Sequence, residues 1–431
     1  MGPGSRLGVD EIHLGEIAFW SLLPERREQG FATLRRERPV SFHEEPEVPL
    51  IGKGPGFWAL TRYADILEVT RDPQTFSSSA SYGGVNLIDQ PPGFSELFGS
   101  MIVMDDPRHA RLRRIVASAF GPRILRQVEG GVRRVAAEIV DGVIADGGCD
   151  FVTDIAAALP LTIICDMMGI SSSSYRYVFD QTNVILGATD PEYVADLADA
   201  APAILRAAQE LAVLAEDLAR VRQERPAEDL TSALVHAEVD GERLTLAEIA
   251  SFFVLLVLAG NETTRHAISH GMKALHDHPD QRRIWAEDFE TIAPTAIEEI
   301  VRWATPVIHF RRTATRDAAV GGQRIRSGEK VVMWYNSGNR DETVFEDPYR
   351  FDVRRTPNEH VGFGGPGPHF CLGAHLARRE MTVMFRELLR RVPDLEIIGE
   401  PAYLASLFFN GIKHMPCELR PRGMAGRSRP R

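Results

Sequence analysis

The strongest constraint on this chain is a single long helical signal running from Thr245 to about Asp277. Thr245 followed three residues later by Glu248 is the signature of a capping box, and Pro279 supplies the stop. At 1.5 Å per residue, a helix of roughly 32 residues spans roughly 48 Å, enough to cross a whole globular molecule. Its middle, FFVLLVLAGNETT, is apolar almost all round and then turns polar from Asn261 to Thr264. A helix apolar on every side belongs in a core, so a polar break within it calls for a reason. Other helical patterns run from Ile124 to Ile144, Asp199 to Arg222 and His375 to Arg391. Strand-like runs are fewer: Gly56 to Thr61 and Lys330 to Tyr335 are aromatic and β-branched between turns. The expected fold class is mainly α with a small β lobe.

With 431 residues, no fixed-period repeat and no Gly, Ser or Pro-rich linker, residues 1–431 read as one large domain. The termini, 1–18 and 421–431, read as frayed. A net charge of -11 argues against a general nucleic-acid binder, because phosphate backbones reward dense Lys and Arg. The N-terminus lacks an apolar signal core, and the strongest apolar run, Phe252 to Ala259, is too short to span a bilayer. A soluble, cytoplasmic protein without a membrane span is expected. Four scattered cysteines are too few for a disulfide scaffold. Ser77 to Pro92 is rich in turn residues and reads as a pocket wall or a plain connector.

The densest local signal is HVGFGGPGPHFCLGAHLARRE, in which glycines and prolines crowd the approach to Cys371 and a helix follows it. A thiolate at a helix N-terminus is stabilised by the dipole and by free amide donors. Glycine-rich backbone lets a flat macrocycle approach closely. Two other readings compete: a structural cysteine in a Gly-rich turn, and a zinc site using His375, His369 and His360. In the polar break, small Ala259 and Gly260 precede Glu262 and Thr263, a set that can leave room for a ligand and move protons. Thr263 could equally bond back to Ala259 as an ordinary helix contact. Asn261-Glu262-Thr263 also spells a glycosylation acceptor, an unsuitable one inside a buried helix. Glu299 and Arg302 are spaced to pair on a helix bounded by Pro294 and Pro306, and His109 and Arg113 share one face of another.

Taken together, Phe363, Gly367, His369, Cys371 and Gly373 resemble the haem-binding loop of the cytochrome P-450 family, and the segment Ala259 to Thr264 resembles its oxygen-activating helix. The resemblance extends over about Phe19 to Leu419. The loop is one residue longer between Phe363 and Cys371 than is usual, which is similar to an actinobacterial subgroup acting on methyl-branched lipids and sterol side chains. The resemblance implies the P-450 fold, haem b (iron protoporphyrin IX) with Cys371 as axial ligand, and catalytic roles for Glu262 and Thr263. It implies that Ala259, Gly260, Phe363 and Gly373 flank the cofactor and that His109, Arg113, Arg312 and His369 hold its propionates. It implies a structural cluster of Glu299, Arg302 and Arg350.

By the same resemblance the activity is a monooxygenase reaction with dioxygen, most similar to terminal hydroxylation of methyl-branched fatty acids or isoprenoids, the alternative being a sterol side-chain hydroxylase. A haem-based ligand sensor is the non-enzymatic alternative, disfavoured because a sensor needs no proton relay. The candidate lipid pocket is Leu97, Phe98, Ile102, Val103, Leu186, Val257, Leu258, Val307, Ile308, Phe408 and Phe409. Expected partners are ferredoxin and ferredoxin reductase, drawing on NAD(P)H, and the expected state is a monomer. Arg108, Arg111 and Arg114 are expected to face solvent and, with Arg378 and Arg379, to form a basic docking face.

Overall fold

The structure is a computed structural model that describes residues 7–48, 52–89, 100–120, 122–187, 190, 192–195 and 197–419. The long helix runs Leu246–Asp277. The Thr245 hydroxyl accepts the Glu248 N–H at 3.1 Å, and the Glu248 carboxylate accepts the Thr245 N–H at 3.0 Å, so the capping box is formed. Around it pack the helices Ala158–Met168, Leu197–Glu224, Phe289–Ala304 and Ala374–Arg391. Close approach is possible at Gly271, where a Cβ would lie 2.7 Å from the Phe385 ring.

The two ends of the long helix serve different apolar cores. Ile249 to Leu258 join a cluster with Leu112, Ile115 and Leu211, whereas Ala267 to Leu275 join one with Trp285, Ile300 and Phe385. The polar break falls at the seam between them. By length and composition alone this helix and the segment Phe151–Met168 could cross a membrane, but 56% and 67% of their apolar windows are buried inside the protein, as befits core helices.

The small lobe is a five-stranded sheet in the order Val40–His43, Phe57–Leu60, Lys330–Trp334, His309–Ala314, Phe76–Ser77. Phe57–Leu60 and Lys330–Trp334 pair in parallel and the other neighbours are antiparallel. Every residue of Lys330–Trp334 is buried, which explains its unbroken apolar run. A second sheet of three antiparallel strands joins Leu395–Ile397, Pro416–Leu419 and Gly148–Asp150.

Two expectations change. Residues 7–18 are not frayed: Leu7, Ile12 and Leu14 are buried in a cluster with Phe19, Phe31, Phe57 and Trp334. The basic tail lies outside the described residues. The helix carrying Glu299 begins at Phe289, with Pro294 inside it, because burial of Ile292, Ala293, Ala296 and Ile297 offsets the one lost backbone bond. Ser77 to Asp89 is more than a plain connector, since Arg311 donates to Tyr82 O at 2.6 Å and to Asp89 at 2.5 Å, and Asp105 accepts from Ser77 and Ser78. The remainder of that segment, together with Leu97 and Phe98, lies outside the described residues.

Candidate active site

The cysteine loop turns on Gly364 and Gly365, at φ +95° and +69°, conformations that favour glycine. The Cys371 N–H donates to Phe363 O at 3.0 Å, and Gly373 caps the helix Ala374–Arg391. Gly367 presses on the neighbouring helix, so that a Cβ there would lie 2.3 Å from Thr70 O. Cys371 keeps accessible surface on this loop. Burial pushes its thiol up, and the Gly373 N–H, Arg113 and Arg378 pull only part of the shift back. The helix terminus by itself therefore leaves a thiol, and a bound cation is what converts such a group to thiolate.

On the long helix, Ala259 is exposed and Gly260 and Thr263 are half-buried, although Val257, Leu258, Asn261 and Glu262 around them are buried. One narrow stripe of an interior helix is thus open. The Thr263 hydroxyl donates to Ala259 O at 2.6 Å, the plain helix contact, and keeps its lone pairs for another donor. Gly260 serves packing: a Cβ there would lie 2.6 Å from Ile164, so the open stripe belongs to Ala259 and Thr263.

Glu262 is fully buried. It is paired with Arg265 and lies 3.3 Å from His266 Nε2. Burial works to raise its carboxyl, but Arg265 and then His266 outweigh burial and hold it below the ordinary carboxylate range. Neither Arg265 nor His266 was picked out from sequence, although their i+3 and i+4 spacing from Glu262 was the available signal.

His109 and His369 meet ring to ring, with centroids 4.3 Å apart. His109 Nε2 is buried without a hydrogen-bond partner, and buried Arg312 donates one N–H to Arg311 O at 2.8 Å. Burial first, then Arg312, His109 and Arg113, push the His369 imidazolium down to about 2. Such a gathering of mutually repelling donors suits an anionic partner. Arg113 itself donates to Phe370 O at 2.8 Å.

Behind the loop, the third member of the Glu299 cluster is Arg355. Arg302 donates to Glu299 at 2.7 and 2.8 Å, and Arg355 donates at 3.1 and 3.2 Å. Arg350 instead exposes 63% of its side chain, 3.6 Å from Asp352, and contributes only its carbonyl, which accepts from Arg302 and Arg355. A turn at Asp347 and Pro348 aims Arg350 outward and brings Arg355 back. A second support was missed: Glu298 accepts from Arg378 at 2.6 Å and lies 3.0 Å from His360, while the Arg378 guanidinium covers the Phe363 ring at 4.4 Å.

The arginines expected in solvent are mostly engaged. Arg108 and Arg114 are exposed as expected, Arg114 pairing with Asp240, whereas Arg111 pairs with Glu242 and Glu248, Arg378 with Glu298 and Arg379 with Glu129. The pocket candidates divide into groups. Val307 bridges Phe409 and the Ile308 N–H donates to Phe408 O at 2.9 Å, so those four come together. Leu186, Val257 and Leu258 share one apolar cluster, and Ile102 and Val103 sit on the short helix Met101–Val103. Among the described residues, no group of three or more His, Cys, Asp or Glu is arranged to hold a metal ion, which leaves the zinc reading without a ligand set.

The family profile of cytochrome P450 matches residues 206–392. The chain is 49% identical over 417 residues to the methyl-branched lipid omega-hydroxylase of Mycobacterium tuberculosis, covering 96% of each. It is 39% identical to the steroid C26-monooxygenase of Mycolicibacterium smegmatis, covering 92% of this chain and 91% of that one. A Mycobacterium marinum cytochrome P450 solved in complex with pseudoionone superposes with a TM-score of 0.90 at 46% identity, covering 96% of this chain and 100% of that one. The protein belongs to the cytochrome P450 family and is a monooxygenase. Its cofactor is accordingly a haem iron, and enzymes of this kind draw electrons from a redox partner. The residues present fit that group: an accessible cysteine on a Gly-rich loop, an open stripe on the interior helix, and a donor cluster with an orphaned His109 nitrogen.

Proposed function

We propose that this cytoplasmic, monomeric, single-domain protein hydroxylates the terminal methyl of methyl-branched fatty acids or isoprenoid lipids. What carries the substrate reading is the 49% identity, over nearly the whole length, to an enzyme named for methyl-branched lipid omega-hydroxylation. When bound, haem b supplies the activation of dioxygen and the oxidation of the C–H bond. Cys371 would hold the iron, and His109, Arg113, Arg312 and His369 would hold the propionates. Phe363 with Arg378 stacked on it, and Gly373, would shape the thiolate side. Ala259 would leave space on the opposite side, with Gly260 letting the helix seat against Ile164. Thr263 Oγ1 would hold a proton at the reacting oxygen, and Glu262 would resupply it. Ferredoxin and ferredoxin reductase would carry electrons from NAD(P)H.

Val307, Ile308, Phe408 and Phe409, with Val103, Val257 and Leu258, would exclude water and guide an apolar chain end-on. Presenting only the chain end matters because terminal methyl C–H bonds are stronger than internal ones. A steroid side chain ends in the same branched methyl group, and the 39% identity to a steroid C26-monooxygenase favours it as the second reading. The test is product analysis with a methyl-branched fatty acid and a sterol, supplied with NADPH, ferredoxin and reductase. Terminal alcohol from the fatty acid supports the proposal, and the Cys371→Ala variant should form none. Exclusive mid-chain or ring hydroxylation overturns it, and terminal attack on the sterol alone selects the second reading.

A further inference from the structure

Residues 82–89 reach two of the pocket candidates. Gly84 is buried, and a Cβ there would lie 3.6 Å from Val103, while Leu87 is buried in one cluster with Ile308. Residues 83–89 form neither helix nor strand, so their carbonyls need partners from elsewhere. Gly83 and Gly84 turn the chain at φ +88° and +79°.

Arg311, on the strand His309–Ala314 and 1% exposed, supplies those partners. Its backbone N–H donates to Val85 O at 2.8 Å. Its guanidinium donates to Tyr82 O at 2.6 Å, Asn86 O at 3.4 Å and Asp89 at 2.5 Å. Thr313, two residues on, also donates to Tyr82 O, at 2.9 Å. Gly83 makes this approach possible, since a Cβ there would lie 2.3 Å from Arg311 Nη2.

A guanidinium buried this far needs a counter-charge. Asp89 provides it and also accepts from Lys330 at 3.0 Å, and Lys330 in turn pairs with Glu45 at 2.8 Å. Glu45, Lys330, Asp89 and Arg311 thus form a row of alternating charges. Glu45, Lys330 and Arg311 are buried, and Lys330 and Arg311 stand on adjacent paired strands. Asp89 alone belongs to the segment beside the pocket, where it keeps 43% of its side chain exposed. The sheet therefore grips that segment by its one acid.

We propose that Arg311 and Asp89 are positioning residues for substrate specificity, fixing residues 82–89 against Val103 and Ile308 so that the pocket presents only the end of an apolar chain. The inference rests on the pocket reading above, in which Val103 and Ile308 guide the lipid. A wall held at several points by one buried side chain has a single position. Released from it, the wall yields sideways and internal methylenes, with their weaker C–H bonds, reach the reacting centre.

Three variants test it: Arg311→Lys, Asp89→Asn and Asp89→Glu. The readouts are kcat and KM separately, the ratio of terminal to internal alcohols formed from a methyl-branched fatty acid, and the thermal midpoint. Arg311→Lys keeps the charge, but an ammonium cannot span the partners of a guanidinium. Asp89→Asn keeps the shape and removes the counter-charge. Both should raise KM about tenfold with kcat within about twofold of wild type, as lost charge-assisted bonds acting on binding require. Both should also raise the internal alcohols to about a third of the product or more. Asp89→Glu, which keeps the carboxylate, should return both readouts most of the way to wild type.

If Arg311→Lys fails to fold, Asp89→Asn decides. A lowered thermal midpoint in Asp89→Asn with wild-type KM and product ratio assigns the row of charges to stability alone and overturns the inference. Equal defects in Asp89→Glu and Asp89→Asn overturn it too, because the carboxylate is then not what acts. If the wild type attacks only internal carbons, the terminal-hydroxylase reading falls by itself. The wall is then judged on the distribution among those carbons, and an unchanged distribution in Asp89→Asn overturns the inference.

Discussion

Replacing Glu299 by Gln removes the one negative charge around which the segment after Asp347 is folded. Glu299 and Arg302 are each 0% exposed, and the carboxylate accepts from Arg302, Arg355, Asn358 and the Asp352 N–H. The amide of Gln keeps the shape but offers one acceptor in place of two and turns an N–H toward a guanidinium. Breaking a buried ion pair costs about 3–5 kcal/mol, against a total stability of about 5–15 kcal/mol for a folded protein. Arg355→Ala leaves Arg302 in place and forfeits charge-assisted bonds, for about 1.5–3 kcal/mol. Arg350→Ala removes only an exposed side chain 3.6 Å from Asp352 and should stay within about 0.5 kcal/mol of wild type.

The assay is urea unfolding at pH 7, followed by circular dichroism and by haem absorption in parallel. Glu299→Gln and Arg355→Ala should couple by about 1 kcal/mol or more in a double-mutant cycle, because they share the carboxylate. The reasoning is refuted if Arg350→Ala is as damaging as Arg355→Ala. A cost under about 1 kcal/mol for Glu299→Gln would refute it equally.

Two further outcomes follow from the same packing. Burial works to raise the Glu298 carboxyl, but Arg378 and then His360 hold it at about 2, down from 4.5. A folded value below the unfolded one means the stabilisation is complete above about pH 4.5 and is lost as the pH falls toward 2, about 3 kcal/mol in all. Glu298→Gln should therefore lose less stability than wild type between pH 6 and pH 3 in urea titrations, and equal losses would contradict the pairing. Gly271→Val would place a Cβ 2.7 Å from Phe385 and 3.0 Å from Ile300. That overpacking should cost about 1–3 kcal/mol and lower the thermal midpoint, so an unchanged midpoint would show that the two helices can separate freely.

Much of this protein is written in local sequence. The capping box at Thr245 and Glu248, the stop at Pro279 and the glycines ahead of Cys371 act within a few residues, so their outcome can be read before any fold is known. The roles proposed for Cys371, Glu262 and Thr263 come from the resemblance of those local runs to the family's motifs. Other contacts depend on how distant segments return to one another. Whether Arg350 or Arg355 reaches Glu299 is decided by the turn at Asp347, almost fifty residues along the chain. Gly260 reads as room for a ligand until Ile164 is found filling its space, and nothing local joins Arg265 to Asn183, 82 residues earlier, which accepts from it. The N-terminal residues look dispensable until Leu14 is seen buried in the cluster that contains Trp334. The ends of the long helix, turn glycines and apolar periodicity were determined by the sequence itself, since their energetics are those of neighbouring backbone groups. The partners of the buried charges, and the open stripe of the long helix, were decided only by the tertiary structure, because burial is a property of everything packed around a residue.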